Sequence, residues 1–167
     1  LAMAYWGSNL VGLLFLLISL KWTRVARVMF AVLFGYAFWI NYQLSHTNPE
    51  AYLDYKDSAL GFYALFIEGW FRENITWFVT LIAVGQLLIA IGMLMNKTWV
   101  TLASVGVIVF LAAIAPLGYY AAFPFSVTVS LAAYQIIRRD EKFFIWKKGK
   151  GVRARRKEIL PHPAAPG

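Results

Sequence analysis

The chain alternates between long apolar stretches without charge and short polar segments. Each stretch approaches or reaches the roughly 17 to 25 residues that a helix needs to cross the hydrocarbon core of a bilayer. The pattern therefore predicts an all-α membrane protein, a bundle of about five transmembrane helices within residues 1–137. Pro124 fits the last of them if it lies in the first turn, where its missing N–H costs no hydrogen bond. The predicted spans are residues 2–20, 25–42, 75–95, 99–115 and 119–137.

The longest connection between predicted spans, residues 43–74, mixes charged and aromatic side chains. Asn48, Pro49 and Glu50 follow the order of a helix start, with Asn at the N-cap, Pro at the first position and Glu in the first turn. The stretch after them is too polar at its beginning to cross a bilayer. It predicts one or two helices that lie in the membrane interface or fold against the mouth of the bundle.

Composition supports the membrane prediction and removes several kinds of cofactor site. Hydrophobic residues make up 60% of the chain and charged residues 14%. A soluble domain averages roughly 45–50% apolar residues and about 25% charged residues. Without Cys, the chain cannot hold an iron–sulfur cluster through thiolates, attach haem covalently or form a disulfide. His46 and His162 lie outside the predicted spans, so a paired-histidine haem site in the bilayer is not expected. Redox chemistry would need an organic cofactor such as a quinone, or a partner subunit.

Lys and Arg are distributed unequally between the polar segments. Lys21 and Arg24 follow the first predicted span, and Lys97 follows the third. Residues 138–167 hold ten basic residues, whereas residues 43–74 hold two against five acidic ones. Basic residues are retained on the cytoplasmic side of a membrane. The distribution predicts five crossings, with the N-terminus outside and the C-terminus inside the cytoplasmic membrane of a bacterium or an archaeon.

Residues 138–167 are predicted to form a basic cytoplasmic tail with aromatic residues among its charges. Such a segment can bind nucleic acid, but beside a membrane span it favours anionic lipid, to which each Lys or Arg contributes about 1 kcal/mol. No nucleic acid partner is therefore expected. The predicted lipid-binding residues are Arg138, Arg139, Lys142, Trp146, Lys147 and Lys148.

Gln86 is the most conspicuous polar residue within a predicted span, because its segment carries no charge. An unpaired amide in hydrocarbon is costly, so Gln86 is expected to face the bundle and form a hydrogen bond there. It serves either as a helix–helix contact or as part of a ligand site. The small residues near it predict close helix contacts; they are Ala83, Gly85, Ala90, Gly92 and Gly106.

The outer connection combines ionisable groups with aromatic rings, which is a composition that can hold a quinone head and move its protons. The alternative is a solvated face of an amphipathic helix. The ionisable residues are His46, Asp54, Asp57, Glu68, Arg72 and Glu73, and the aromatic ones are Tyr52, Tyr55, Tyr63, Trp70 and Phe71. The segment next to the third span is the favoured part of this hypothesis. The predicted quinone- or ligand-binding residues are Glu68, Trp70, Arg72, Glu73 and Gln86.

From the second predicted span onward, over residues 25–137, the chain resembles the DoxX-like family of small membrane proteins. The segment VGQLLIAIGMLMNKTW, from Val84 to Trp99, is similar to that family's glycine-rich helix that ends in a basic turn, and Arg27 resembles the basic residue that opens its first helix. Gln86 departs from the family, which commonly has an acidic residue there. The resemblance implies a four-helix bundle with a long connection after its first helix, and a link to thiosulfate:quinone oxidoreductases.

Three functions are compatible with the sequence. The first is an accessory or structural subunit of a larger membrane complex, respiratory or electron-transferring, which packs beside other membrane subunits. The second is a quinone-linked oxidoreductase subunit of the thiosulfate:quinone type. The third is a small transporter, which is disfavoured because no predicted span carries an acidic or basic residue near its centre.

Overall fold

The computed structural model describes residues 2–121 and 124–146, and this part of the chain is helical without a strand. A 3-10 helix spans Pro49–Asp57, a π-helical turn spans Ile67–Phe71, and a second 3-10 helix spans Ala115–Ala121. The predicted all-α class is confirmed. The α-helices are α1 (Ala2–Lys21), α2 (Thr23–Thr47), α3 (Gly61–Phe66), α4 (Ile75–Leu94), α5 (Lys97–Ile114) and α6 (Phe125–Arg139).

Three helical stretches of the described residues are long and apolar enough to cross a membrane. They are Thr23–Thr47, Ile75–Leu94 and Lys97–Gly118, and they correspond to the second, third and fourth predicted spans. Trp6–Lys21 is apolar but shorter. The structure is therefore compatible with a membrane-embedded protein, while the total of five crossings remains a prediction.

The fifth predicted span, residues 119–137, begins later in the structure than the sequence suggested. Helix α6 begins at Phe125 and has 15 residues, which is about 22 Å of helix against a hydrocarbon core of about 30 Å. Gly118 interrupts the helical backbone with φ 77° and ψ −151°. Pro124 occupies the N-cap position of α6 instead of its first turn. Helix α6 therefore begins after Pro124, and the fifth crossing stays a prediction.

The long helices pack in pairs. Helix α2 lies along α4, α1 lies along α6, and α5 contacts both α4 and α6. Phe15 meets Phe30 edge to face with a centroid distance of 5.0 Å. Phe34 meets Phe110 in the same way at 5.7 Å. These edge-to-face pairs join α1 to α2 and α2 to α5.

Glycine allows close contact between α4 and α5, though not at every position that the sequence suggested. A Cβ added at Gly92 would lie 2.8 Å from the Cβ of Ala103, and one at Gly106 would lie 3.1 Å from Ile89. Gly85 has no neighbour within 4 Å of such an atom. It shares a helix face with the exposed Leu88, so its prediction as a contact residue was wrong.

Arg27, near the start of α2, lies inside the bundle. It is 1% exposed. Its guanidinium donates hydrogen bonds to the carbonyl oxygens of Met93 at 2.8 Å, Met95 at 2.6 Å and Phe143 at 2.8 Å. It also forms an ion pair with Asp140 at 3.0 Å. The five donors of Arg suit such a cluster of acceptors, whereas a single ammonium does not.

Residues 140–146, which we call the strap, fold back across the end of the bundle where α2 and α5 begin. The backbone N–H of Lys97 donates to the carbonyl of Lys142 at 2.7 Å, and that of Ile145 donates to Leu94 at 3.3 Å. The hydroxyl of Thr23 donates to Asp140 at 2.7 Å. The first part of the predicted tail is therefore an ordered part of the bundle.

The connection from α2 to α4 folds against the opposite end of the bundle. Asn48 precedes the 3-10 helix at the predicted position, but its side chain forms no capping hydrogen bond. The connection is anchored by a second apolar cluster, formed by Tyr52, Ile67, Phe71, Ile75 and Val79. Short helices at the bundle mouth are confirmed, and their location in the membrane interface remains a prediction.

Candidate functional site

A cavity of about 770 Å³ lies between the connection and helices α2, α4 and α5. This volume falls within the usual range of small-molecule sites, about 300 to 1,000 Å³. Its walls are mostly aromatic and aliphatic, with a few amides and phenols. The lining residues are Asn41, Tyr52, Tyr55, Phe62, Tyr63, Phe66, Ile67, Phe71, Phe78, Val79, Ile82, Gln86, Phe110, Ala113, Ile114 and Leu117.

Gln86 forms the polar end of the cavity together with Asn41. Val79, Ile82 and Gln86 share one face of α4 because their spacing follows the helical period. This face turns toward α2, where the Asn41 Nδ2 donates to Gln86 Oε1 at 2.9 Å. Gln86 is 2% exposed. The prediction that Gln86 faces the bundle and forms a hydrogen bond there is confirmed.

A chain of hydrogen bonds links Tyr52 to the two amides. The Tyr52 hydroxyl donates to Asn41 Oδ1 at 2.8 Å, and Asn41 Nδ2 then donates to Gln86 Oε1. The Gln86 Nε2 donates to no group among the described residues. Because Gln86 lines the cavity, an acceptor oxygen of a bound molecule could accept a hydrogen bond from this atom.

Two tyrosines of the wall, Tyr52 and Tyr55, have raised pKa values. The Tyr52 and Tyr55 rings stack with centroids 6.3 Å apart. Burial, with a smaller effect of the neighbouring Tyr55, raises the pKa of Tyr52 from 10.0 to about 12. Burial also raises the pKa of Tyr55. The Tyr63 hydroxyl donates to the Ala113 carbonyl at 2.7 Å. The Tyr52 and Tyr55 phenols therefore keep their protons near pH 7.

Most of the ligand-binding residues predicted from the sequence lie outside this cavity. Glu68 is exposed and pairs with Lys56 at 3.2 Å. Trp70 is half-exposed and stacks on Phe66 at a centroid distance of 5.9 Å. The structure thus places these side chains on the outer surface of the connection, and neither lines the cavity.

Arg72 and Glu73 line a separate shallow groove of about 280 Å³ beside Pro49 and Glu50. Of the five predicted ligand-binding residues, only Gln86 lines the aromatic cavity. Of the aromatic residues named in the same hypothesis, Tyr52, Tyr55, Tyr63 and Phe71 line the cavity.

The predicted lipid-binding residues lie at the other end of the molecule. Arg139 donates to the carbonyl of Leu20 at 2.6 Å, and the Arg138 guanidinium lies 5.8 Å from the Tyr134 ring centroid. In the strap, Lys142 donates its backbone N–H to Asp140 at 2.6 Å, and the exposed Trp146 stacks on Phe144 at 4.8 Å. Lys147 and Lys148 lie outside the described residues. Lipid binding by these six residues remains a prediction.

Asn41 is the site residue that the sequence did not suggest, because it lies near the end of a predicted span where a polar residue needs no explanation. Its partner Gln86 is 45 positions away in the chain. The available signal was that two amides interrupt two apolar stretches, which favours pairing between helices. Among the residues with described positions, no three His, Asp or Glu side chains converge in a metal-binding arrangement.

Gln86 also lies in the segment that resembles the DoxX-like family, at the position where that family commonly has an acid. Here an amide takes the position and bonds to the Asn41 amide. The resemblance remains a prediction. No known protein family, curated protein or solved structure matches the chain.

Proposed function

We propose that the chain is a multi-pass membrane subunit whose aromatic cavity binds a neutral, lipid-soluble ring compound of the quinone class. The observation that carries this proposal is the inward-facing Gln86 amide at the polar end of an otherwise apolar cavity. A quinone carbonyl is an acceptor for the Gln86 Nε2. The Tyr52, Tyr55 and Phe71 rings are suited to pack against a planar ring.

The chemistry of the walls favours an uncharged ligand. The described lining residues are amides, phenols, aromatic rings and aliphatic side chains, without an ionised group. A phosphate or ammonium head in this cavity would lose its hydration and gain no opposite charge, which costs several kcal/mol. A phospholipid headgroup is therefore a poorer occupant than a quinone ring.

The same walls favour a binding subunit over a quinone-reducing enzyme. Reduction of a quinone to a quinol takes up two protons, which carboxylates or histidines commonly relay. The carboxylates of Glu68 and Glu73 lie outside the cavity, and raised pKa values hold the protons on Tyr52 and Tyr55. We therefore prefer an accessory subunit of a respiratory or electron-transferring complex, with other membrane proteins as its partners.

Charge supports the proposed orientation in a bacterial or archaeal cytoplasmic membrane. Lys97 and Arg139 lie at the strap end of the bundle, where each contacts a neighbouring segment. The connection with five acidic residues lies at the other end. We propose that the strap end is cytoplasmic, that five helices cross the membrane and that the basic residues contact anionic lipid.

Extraction of the purified protein tests the proposed ligand. The full chain is expressed in quinone-containing bacterial membranes and purified in mild detergent, and its bound quinone is extracted and quantified by chromatography. Wild-type protein should retain quinone, Gln86→Leu should lose it, and Gln135→Leu, which changes an amide of α6 away from the cavity, should retain it. The proposal fails if wild-type protein retains no quinone or if Gln86→Leu retains as much. Membrane proteins that co-purify with the wild type identify the partner complex.

A further inference from the structure

The exposed lining residues indicate that the mouth of the aromatic cavity lies between α3 and the last turn of α5. Of the described residues that line the cavity, those with exposed side chains are Phe62, Phe66 and Ala113, and all three are apolar. The amides of Asn41 and Gln86 are at the buried end. Exposing an opening rimmed by apolar groups to water costs free energy, whereas exposing it to the hydrocarbon of a bilayer does not.

One hydrogen bond crosses this mouth. The Tyr63 hydroxyl on α3 donates to the Ala113 carbonyl on α5 at 2.7 Å. The outward side of α3 is apolar as well, with Phe62 66% and Leu65 73% exposed. Helix α3 has the surface of a segment that lies in lipid and covers one side of the cavity.

The backbone departs from helical angles on either side of α3. Gly61 begins the helix after Leu60, which is extended with φ −60° and ψ 148°. Gly69 has the non-helical angles φ −95° and ψ −117°. A short helix between two such points can move as a unit, as hinged lids do. Its near end is held by the Leu60 N–H, which donates to the Pro116 carbonyl at 2.9 Å.

We propose that the ligand enters the cavity sideways from the bilayer, through a portal between α3 and α5 that the Tyr63–Ala113 hydrogen bond holds closed. This inference rests on the proposed function, because it concerns the route to the same cavity. It adds that the ligand arrives dissolved in lipid, head first, so that its ring reaches Gln86 while an apolar chain remains between Phe62 and Ala113.

The absence of cysteine from the sequence allows a test of the portal that needs no ligand. Ala113→Cys and, as a control in the polar connection, Asp57→Cys each carry a nitroxide spin label in the full chain, reconstituted in lipid nanodiscs. Dissolved oxygen, which concentrates in hydrocarbon, should relax the label at position 113 more than a water-soluble nickel chelate does. The label at position 57 should show the reverse. Stronger relaxation by nickel at position 113 overturns the proposal.

Ligand exchange tests the gate itself. Decylubiquinone is loaded into the reconstituted protein, and its replacement by a deuterated form is followed by mass spectrometry. Ala113→Phe should slow exchange by about tenfold, equivalent to about 1.4 kcal/mol on the barrier. The control Ala112→Phe changes a neighbouring residue outside the cavity lining and should not slow exchange. Tyr63→Phe, which removes only the hydroxyl, should speed exchange, and the exposed Tyr134→Phe should leave it unchanged.

The two failures are distinguishable. Wild-type protein that binds no decylubiquinone refutes the proposed function, and the spin-label result still decides where the mouth opens. Wild-type protein that binds the quinone while Ala113→Phe and Ala112→Phe exchange it at equal rates refutes the portal alone.

Discussion

Arg27 and Asp140 form an ion pair of 3.0 Å with side chains only 1% and 4% exposed, and this pair ties the strap to the start of α2. Every charge in it is satisfied locally. Asp140 also accepts hydrogen bonds from Thr23 and from the backbone N–H of Lys142. Arg27 donates hydrogen bonds to three backbone carbonyl groups. A buried pair of this kind is costly to break from one side, because the remaining charge has no partner.

We therefore expect Arg27→Ala to lower the free energy of unfolding by about 3–5 kcal/mol. The exposed Arg138→Ala should change it by less than about 0.5 kcal/mol. Unfolding in detergent, followed by circular dichroism, measures both. Trypsin should also cleave the Arg27→Ala protein within the strap faster than wild type. Equal stability of the two variants would mean that the ion pair does not hold the strap.

Glycine at position 118 is required both by its backbone angles and by space. Gly118 has φ 77°, and an added Cβ would contact the Ser58 carbonyl oxygen. We expect Gly118→Ala to destabilise the protein by about 1–3 kcal/mol. Gly85→Ala, at an open position of α4, should be neutral or stabilise by up to about 1 kcal/mol through helix propensity. Thermal unfolding of the two variants should show shifts of opposite sign or clearly different size, and equal shifts would contradict the close contact with Ser58.

The raised pKa of Tyr52 makes stability depend on alkaline pH. The pKa is 10.0 for the unfolded chain and about 12 in the folded protein, so folding favours the neutral phenol. Its contribution is fully present below pH 10 and is lost as pH rises through about 12. Melting temperatures measured between these limits should fall less steeply for Tyr52→Phe than for wild type. A wild-type curve that Tyr52→Phe reproduces would show that this phenol is not buried.

The distribution of basic residues predicts that the two ends of the bundle lie on opposite sides of the membrane. In the cysteine-free chain, Asp57→Cys in the outer connection should react in whole cells with a maleimide that cannot cross the membrane. Arg138→Cys at the strap end should react only after the cells are opened. Labelling of both positions from the same side would refute the proposed orientation.

The helices follow from the sequence more closely than the site does. Helix α4, Ile75–Leu94, lies within one residue of its predicted limits, because its apolar stretch ends at polar residues on both sides. The start of α6 could not be predicted from the sequence pattern. It depends on the non-helical backbone angles of Gly118 and on the position of Pro124 before the helix. A local pattern cannot fix such a turn.

The cavity and the strap depend on contacts between distant parts of the chain. Asn41 and Gln86 meet only because α2 lies along α4. Arg27 is buried only because a later segment folds over it. Asp140 lies among basic residues in the sequence, so its pairing with Arg27 was not predicted. In both cases the partner residues are far apart, so apolar periodicity predicts the helices but not the polar contacts between them.

Photolabelling tests most directly whether the aromatic cavity is the ligand site. The full chain in nanodiscs is irradiated with an azido derivative of decylubiquinone, with and without excess decylubiquinone, and the labelled peptides are identified by mass spectrometry. Our account predicts adducts on cavity residues such as Tyr55, Tyr63 and Phe110, which excess decylubiquinone removes. Labelling confined to exposed residues outside the cavity, such as Leu88 and Val109, and unaffected by the competitor, would contradict it.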